Sequence, residues 1–179
     1  MLTTDNTVFV LVDVQGKLAH SMHAKESLFQ NLKKLVKGMR VLEVPILWAE
    51  QNPKGLGPTV PEIAELLPDL EPIPKNSFSC HANNEFRQAL ENLNRRNILV
   101  TGIETHVCVY QTVRDLSKSH YDIQLVADAV SSRTLENKQI GLEKCKSTGA
   151  EITSVETALF ELLQVAEGDR FKMILDVIK

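Results

Sequence analysis

The chain has 179 residues, 43% of them hydrophobic and 24% charged, with a formal net charge of −3. That length can bury a sizeable core without disulfides or metals, and the balance is that of one soluble globular domain over residues 1–179. The mild acidity argues against the basic footprint that nucleic acid or an anionic membrane surface selects, and no apolar run approaches the roughly 20 residues of a membrane span.

The first segment, MLTTDNTVFVLVD, lacks a charged leader and carries an apolar run too short for a signal peptide, so the expected location is the cytoplasm. Val8–Val12 is the first strand, followed at once by Asp13 and Gln15. Ser27–Val41 reads as a helix, with Leu28, Leu32, Leu35, Val36 and Met39 on one stripe. Pro45–Trp48 is the next strand. Glu50–Lys75 then breaks the rhythm: it holds six of the seven prolines and reads as a long loop with a short helix at Glu62–Leu67. A helix over Asn83–Leu93, a strand at Asn97–Val100 and a helix opening at His106 or Val107 follow. Ile123–Val126 is a strand, Ser132–Ser147 a helix, Ala150–Thr153 a weaker strand, and Ser154–Leu163 a helix with an N-cap at Ser154 or Thr153. Asp169–Lys179 closes the chain as an amphipathic helix. The strands are apolar almost without alternation and alternate with helices, which predicts an α/β fold: a doubly wound, three-layer α/β/α sandwich on a parallel sheet.

In such sheets ligands bind beyond the carboxyl ends of the strands. Asp13, Lys75 and Cys108 all fall at strand ends, which brings an acid, a cation and a thiol to one rim. Taken singly, each has a plainer reading: Asp13 as a loop acid or cap, Lys75 as a surface lysine, Cys108 as a small core residue. Asp13 as a phosphoryl acceptor would ask for an acid two residues on, where Gln15 stands. At the start of a helix and near an ammonium, Cys108 is expected to favour the thiolate. The three cysteines, Cys80, Cys108 and Cys145, have no paired spacing, so neither a disulfide framework nor a cysteine zinc site is expected. Cys145 reads as core.

The stretches VFVLVDVQ (Val8–Gln15), PKNSFS (Pro74–Ser79), LVTGIETHVCVYQT (Leu99–Thr112) and VADAVSSR (Val126–Arg133) together resemble the isochorismatase-like cysteine hydrolases, a group that includes nicotinamidases and N-carbamoyl amidases. The resemblance covers Val8 to about Leu163. It implies a six-stranded parallel sheet, a catalytic Asp13, Lys75 and nucleophilic Cys108, and a cis peptide joining Ile103 to Glu104 that turns the Glu104 N–H toward that of Cys108 as an oxyanion hole. It also implies a homo-oligomer acting on a small-molecule substrate, with neither nucleic acid nor membrane as partner. The pocket wall is expected from Gln15, Gln51 and the Glu50–Gly57 loop, Phe78, Thr105 and His106, with the His106 side chain read as local loop structure. AEQNPKGLG lacks the histidines of the metal-binding nicotinamidases, so no metal or cofactor is expected, and Cys108 argues against vinyl-ether cleavage by isochorismatases proper. The expected chemistry is cleavage of a small amide or related C–N bond through a Cys108 thioester. The competing readings are a catalytically retired binding module and a redox thiol protein with Cys80 as resolving partner.

Overall fold

Val8, Val10 and Val12 face one side of the first strand and Phe9 and Leu11 the other, and all five are completely buried. A strand covered on both faces needs helices above and below it. The computed structural model, which describes residues 1–179, has that arrangement. Six strands, β1 (Thr7–Val12), β2 (Ile46–Gln51), β3 (Ile73–Lys75), β4 (Asn97–Ile103), β5 (Asp122–Ser131) and β6 (Glu151–Thr153), form one sheet in the order β3-β2-β1-β4-β5-β6. Every pairing is parallel.

The helices are α1 (Gly16–His20), α2 (Lys25–Val41), α3 (Pro53–Leu56), α4 (Pro61–Ala64), α5 (Asn84–Asn92), α6 (Tyr110–Lys118), α7 (Leu135–Ser147), α8 (Val155–Leu163) and α9 (Gly168–Ile178). One apolar cluster joins Phe9 and Leu11 to α1, α2, α4, α8 and α9. The other joins the three β1 valines to Phe86 and Leu90 of α5, Val113 and Leu116 of α6 and Cys145 of α7. Each large apolar side chain so buried contributes about 1.5–3 kcal/mol. Asn83, Thr134 and Ser154 cap α5, α7 and α8 by accepting the backbone N–H three residues on. Such a cap contributes about 1 kcal/mol.

Several boundaries differ from expectation. The Glu50–Lys75 stretch carries two short helices, α3 and α4, and ends in β3. The prolines mask that strand, but β3 is an edge, where the missing N–H of Pro74 costs no ladder bond. β5 continues five residues past Val126, through Asp128. That polar residue reads as a strand end, yet its carbonyl accepts from Asn31 and its carboxylate from the Val155 N–H. α7 accordingly starts at Leu135, not Ser132.

Sequence order runs outward from β1 to β3 on one side and from β4 to β6 on the other, so the topological switch lies between β1 and β4. Their close approach depends on Gly102. Its φ is +111°, and a Cβ there would stand 2.0 Å from the Val12 carbonyl oxygen. A crevice therefore opens above the ends of these two strands, where ligands bind in this class of sheet.

Candidate active site

Side chains from three strand ends gather beside that switch. β1 delivers Asp13, whose backbone turns into the left-handed region (φ 53°) with its N–H on the Ala49 carbonyl (3.1 Å). An aspartate tolerates this conformation better than most residues. β3 delivers Lys75. β4 passes through Glu104 into a wide π-type turn, Thr105–Val109, that presents Cys108 ahead of α6. The nucleophile candidate thus sits in the turn preceding the helix and not in its first α-helical turn.

Lys75 Nζ donates to Asp13 Oδ2 (2.6 Å), Gln51 Oε1 (2.8 Å), the Phe78 carbonyl (3.1 Å) and the Ser77 carbonyl (3.2 Å). Four acceptors saturate its three hydrogens, and the side chain is wholly buried. Asp13 Oδ1, equally buried, has no hydrogen-bond partner in the chain. The Cys108 thiol, 8% exposed, lies close enough to couple to both charges. An ammonium, a carboxylate with one free oxygen and a thiol are therefore brought together.

Burial sets the electrostatics. Desolvation raises the Asp13 carboxyl above the ordinary carboxylate value, and Lys75 opposes that rise. Desolvation also raises the Cys108 thiol, the Asp13 charge raises it further, and Lys75 only partly offsets both. The expected thiolate is thus overturned: the ammonium is spent on Asp13, and the resting form is the thiol. Burial has the same effect on Cys80 and Cys145, each pushed up to about 12. The Cys80 N–H donates to Thr112 Oγ1 (2.9 Å), one turn beyond Cys108.

The peptide joining Ile103 and Glu104 is cis. The Glu104 carbonyl accepts from the N–H groups of Val107 (3.0 Å) and Val109 (3.2 Å), which leaves the Cys108 N–H outside that pair. Arg133 donates to Glu104 Oε1 from its backbone N–H and its Nε. Sequence reasoning included Arg133 in a motif but gave it no role.

The expected pocket wall is partly rearranged. Gln15 is completely buried and used up: its Nε2 donates to the carbonyls of Gln51 (3.1 Å) and Gly57 (2.7 Å), and its Oε1 accepts from the Gln51 N–H (2.6 Å). It clamps the end of β2 to the following loop, with both amide hydrogens and its oxygen engaged there. Gln51 spends its side chain on Lys75 and the Asn76 carbonyl. Thr105 is fully buried with an unpartnered Oγ1. The His106 ring is held by Ser132 (Nδ1 to Oγ, 3.0 Å), in keeping with a local role. Phe78 is 53% exposed and stands at the rim. A cavity of about 340 Å³ beside β3 is lined by Asn52–Lys54, Pro74–Asn76 and Asn83. Lys75 lines it, but neither Asp13 nor Cys108 does. No three His, Cys, Asp or Glu side chains converge as a metal-holding group.

Comparison with known proteins follows the same lines. Residues 7–157 match the Isochorismatase domain. The chain is 36% identical to a secreted isochorismatase effector of Phytophthora sojae, over 99% of this chain and 87% of the relative. It is 34% identical to isochorismatase domain-containing protein 2 of Xenopus laevis, over 97% and 83%. Among solved structures, a protein described as MAR1 ribonuclease from Caenorhabditis elegans superposes with a TM-score of 0.92 at 30% identity, covering 99% and 91% of the two chains. The YcaC protein of Escherichia coli, described as an octameric hydrolase of unknown specificity, superposes at 0.93 with 19% identity, covering 99% and 88%.

Proposed function

The chain belongs to the isochorismatase family, a hydrolase fold, and from that premise we propose that it is a cysteine hydrolase of small amides or related C–N bonds. The observation that carries the proposal is the buried Lys75–Asp13 pair with one carboxylate oxygen left unpartnered beside the Cys108 thiol. An unsatisfied buried oxygen costs about 1–3 kcal/mol, and the neighbouring Cys108 thiol is the group placed to offset that cost.

The steps follow from that arrangement. As Sγ approaches the substrate carbonyl carbon, Asp13 Oδ1 takes the thiol proton. Desolvation has made this carboxylate a stronger base than an exposed one, which narrows its mismatch with the thiol. Lys75 keeps the carboxylate oriented and balances the thiolate charge as it forms. The tetrahedral oxyanion is held by the N–H groups of Glu104 and Cys108. The C–N bond breaks, and the amine leaves with the proton that Asp13 returns. Water, deprotonated by Asp13, then attacks the thioester, so the net reaction consumes one water and yields one carboxylic acid and one amine with the thiol restored.

The two competing readings receive less support. Retirement gives no role to the approach of Asp13, Lys75 and Cys108 to one another. A redox pair asks for an accessible, acidic thiol, whereas Cys80 is completely buried and raised to about 12. The ribonuclease description of the C. elegans relative would ask for a cation free to meet phosphate, and Lys75 has no hydrogen to spare. Assembly as a homo-oligomer in the cytoplasm fits the three free cysteines, the exposed Phe78 and Ile140, and the octameric description of the E. coli protein. A screen of small aliphatic amides, carbamoyl compounds and nicotinamide, with and without chelator, tests the proposal. Turnover is expected to survive chelation and to vanish in Cys108→Ala; turnover that persists in that variant, or that chelation abolishes, contradicts it.

A further inference from the structure

The turn from Glu104 to His106 is braced by a segment outside the Asp13, Lys75 and Cys108 neighbourhoods. Arg133 holds Glu104 Oε1 through its backbone N–H (3.2 Å) and its Nε (3.1 Å). Ser132 holds the His106 ring. Between these two contacts α7 lies directly against the turn, and it touches there through Gly141, which is buried. A Cβ on Gly141 would stand 2.6 Å from both the His106 nitrogen and the Thr105 carbonyl carbon, and 2.8 Å from Thr105 Cγ2. The first two are backbone atoms, so no rotamer change relieves the contact. Three consecutive residues of the turn are thus fixed by residues 132–141.

We infer that Gly141 is a positioning residue for hydrolysis: its missing side chain sets how close the Glu104–His106 turn rests to α7, and therefore where the Glu104 and Cys108 amides stand. This inference rests on the cysteine-hydrolase reading. Oxyanion donors work only when aimed at the developing charge, and a misplacement of about 1 Å can cost on the order of 100-fold in rate. Helix propensity points the other way, since alanine is the better helix former. A stability-only role for this glycine therefore predicts no selective loss of rate.

The test uses p-nitrophenyl acetate, a neutral activated ester, with the acylation burst followed in wild type, Cys108→Ala and Gly141→Ala. Gly141→Ala is expected to slow acylation about 10- to 100-fold with half-saturation nearly unchanged. Alkylation of its Cys108 by iodoacetamide at alkaline pH, a displacement that forms no oxyanion, should proceed at the wild-type rate. An unchanged burst, or equal loss in both reactions, overturns the inference. Should Gly141→Ala fail to fold, Arg133→Gln loosens the same turn from its exposed side; it should show the same selective loss of acylation, and a wild-type burst there overturns the inference. A wild-type protein without a Cys108-dependent burst would instead remove the hydrolase reading itself.

Discussion

Lys75 and Asp13 are each costly to bury and are tolerable together, so the pair should respond sharply to loss of one member. Replacing Lys75 with Met leaves the Asp13 carboxylate without its cation in a site that excludes water. Breaking a buried pair this way destabilises by about 3–5 kcal/mol. The pH dependence has a definite sign. Burial raises the folded Asp13 carboxyl above its unfolded value, and loss of Lys75 raises it further, so the cost is present above the folded value and fades as falling pH protonates Asp13. Urea denaturation of Lys75→Met at neutral and at mildly acidic pH should therefore show a smaller deficit in acid; an equal deficit would mean that Asp13 is not the group left exposed to the loss. Under the proposed mechanism, activity should follow the same titration. The acid limb of kcat/KM should lie above the ordinary carboxylate range in the wild type, because Asp13 must be ionised to take the thiol proton. Alkylation of Cys108 should in turn keep rising with pH well past neutrality, since burial and Asp13 both hold the proton on sulfur. A thiol alkylation rate that levels off near pH 7 would contradict that electrostatic account.

Gln15 shows how an element can be more dependent on a polar side chain than its neighbours suggest. Following the first strand at a ligand-binding rim, it reads as a pocket residue, yet its three hydrogen bonds tie the end of β2 to the Gly57 loop. Gln15→Ala should cost about 2–4 kcal/mol, at about 1 kcal/mol per bond plus the buried groups left unpaired. A lowered thermal midpoint with little change in KM is the expected result; a raised KM at unchanged stability would restore the pocket role. The strand-end positions of Asp13 and Cys108 were legible because apolar runs mark where strands stop, whereas Lys75 was marked only by the end of the prolines. The direction of the Gln15 side chain was not legible, because it depends on a loop 42 residues away. β3 was hidden for a related reason: Pro74 within it and Pro72 just before it speak for a loop in local terms, and only the neighbouring Ala49–Gln51 ladder makes an edge strand of Ile73–Lys75. Likewise the extension of β5 depends on Asn31 and the α8 N-terminus, which donate to the Asp128 carbonyl and carboxylate.

For the molecule as a whole, alternating apolar strands and one-sided helices were enough to give a parallel sheet with helices on both faces. The sixth strand came only from family resemblance. The switch between β1 and β4 then explains why residues 95 apart, Asp13 and Cys108, lie at one place: the strands that lead to them are hydrogen-bonded neighbours, and Gly102 lets them approach. What the sequence left out was the charge balance inside that crevice. Counting an ammonium near a cysteine suggested a thiolate, whereas the fold spends the ammonium on a carboxylate, and burial with the Asp13 charge holds the proton on sulfur. The central claim is a covalent bond at Cys108, and intact-protein mass spectrometry of acid-quenched turnover tests it most directly. With a substrate found by the amide screen, the wild type should gain the mass of one acyl group, located by peptide mapping to the peptide containing Cys108 and absent in Cys108→Ala. Steady turnover with no acyl mass on the wild type, together with undiminished turnover by Cys108→Ala, would contradict the account.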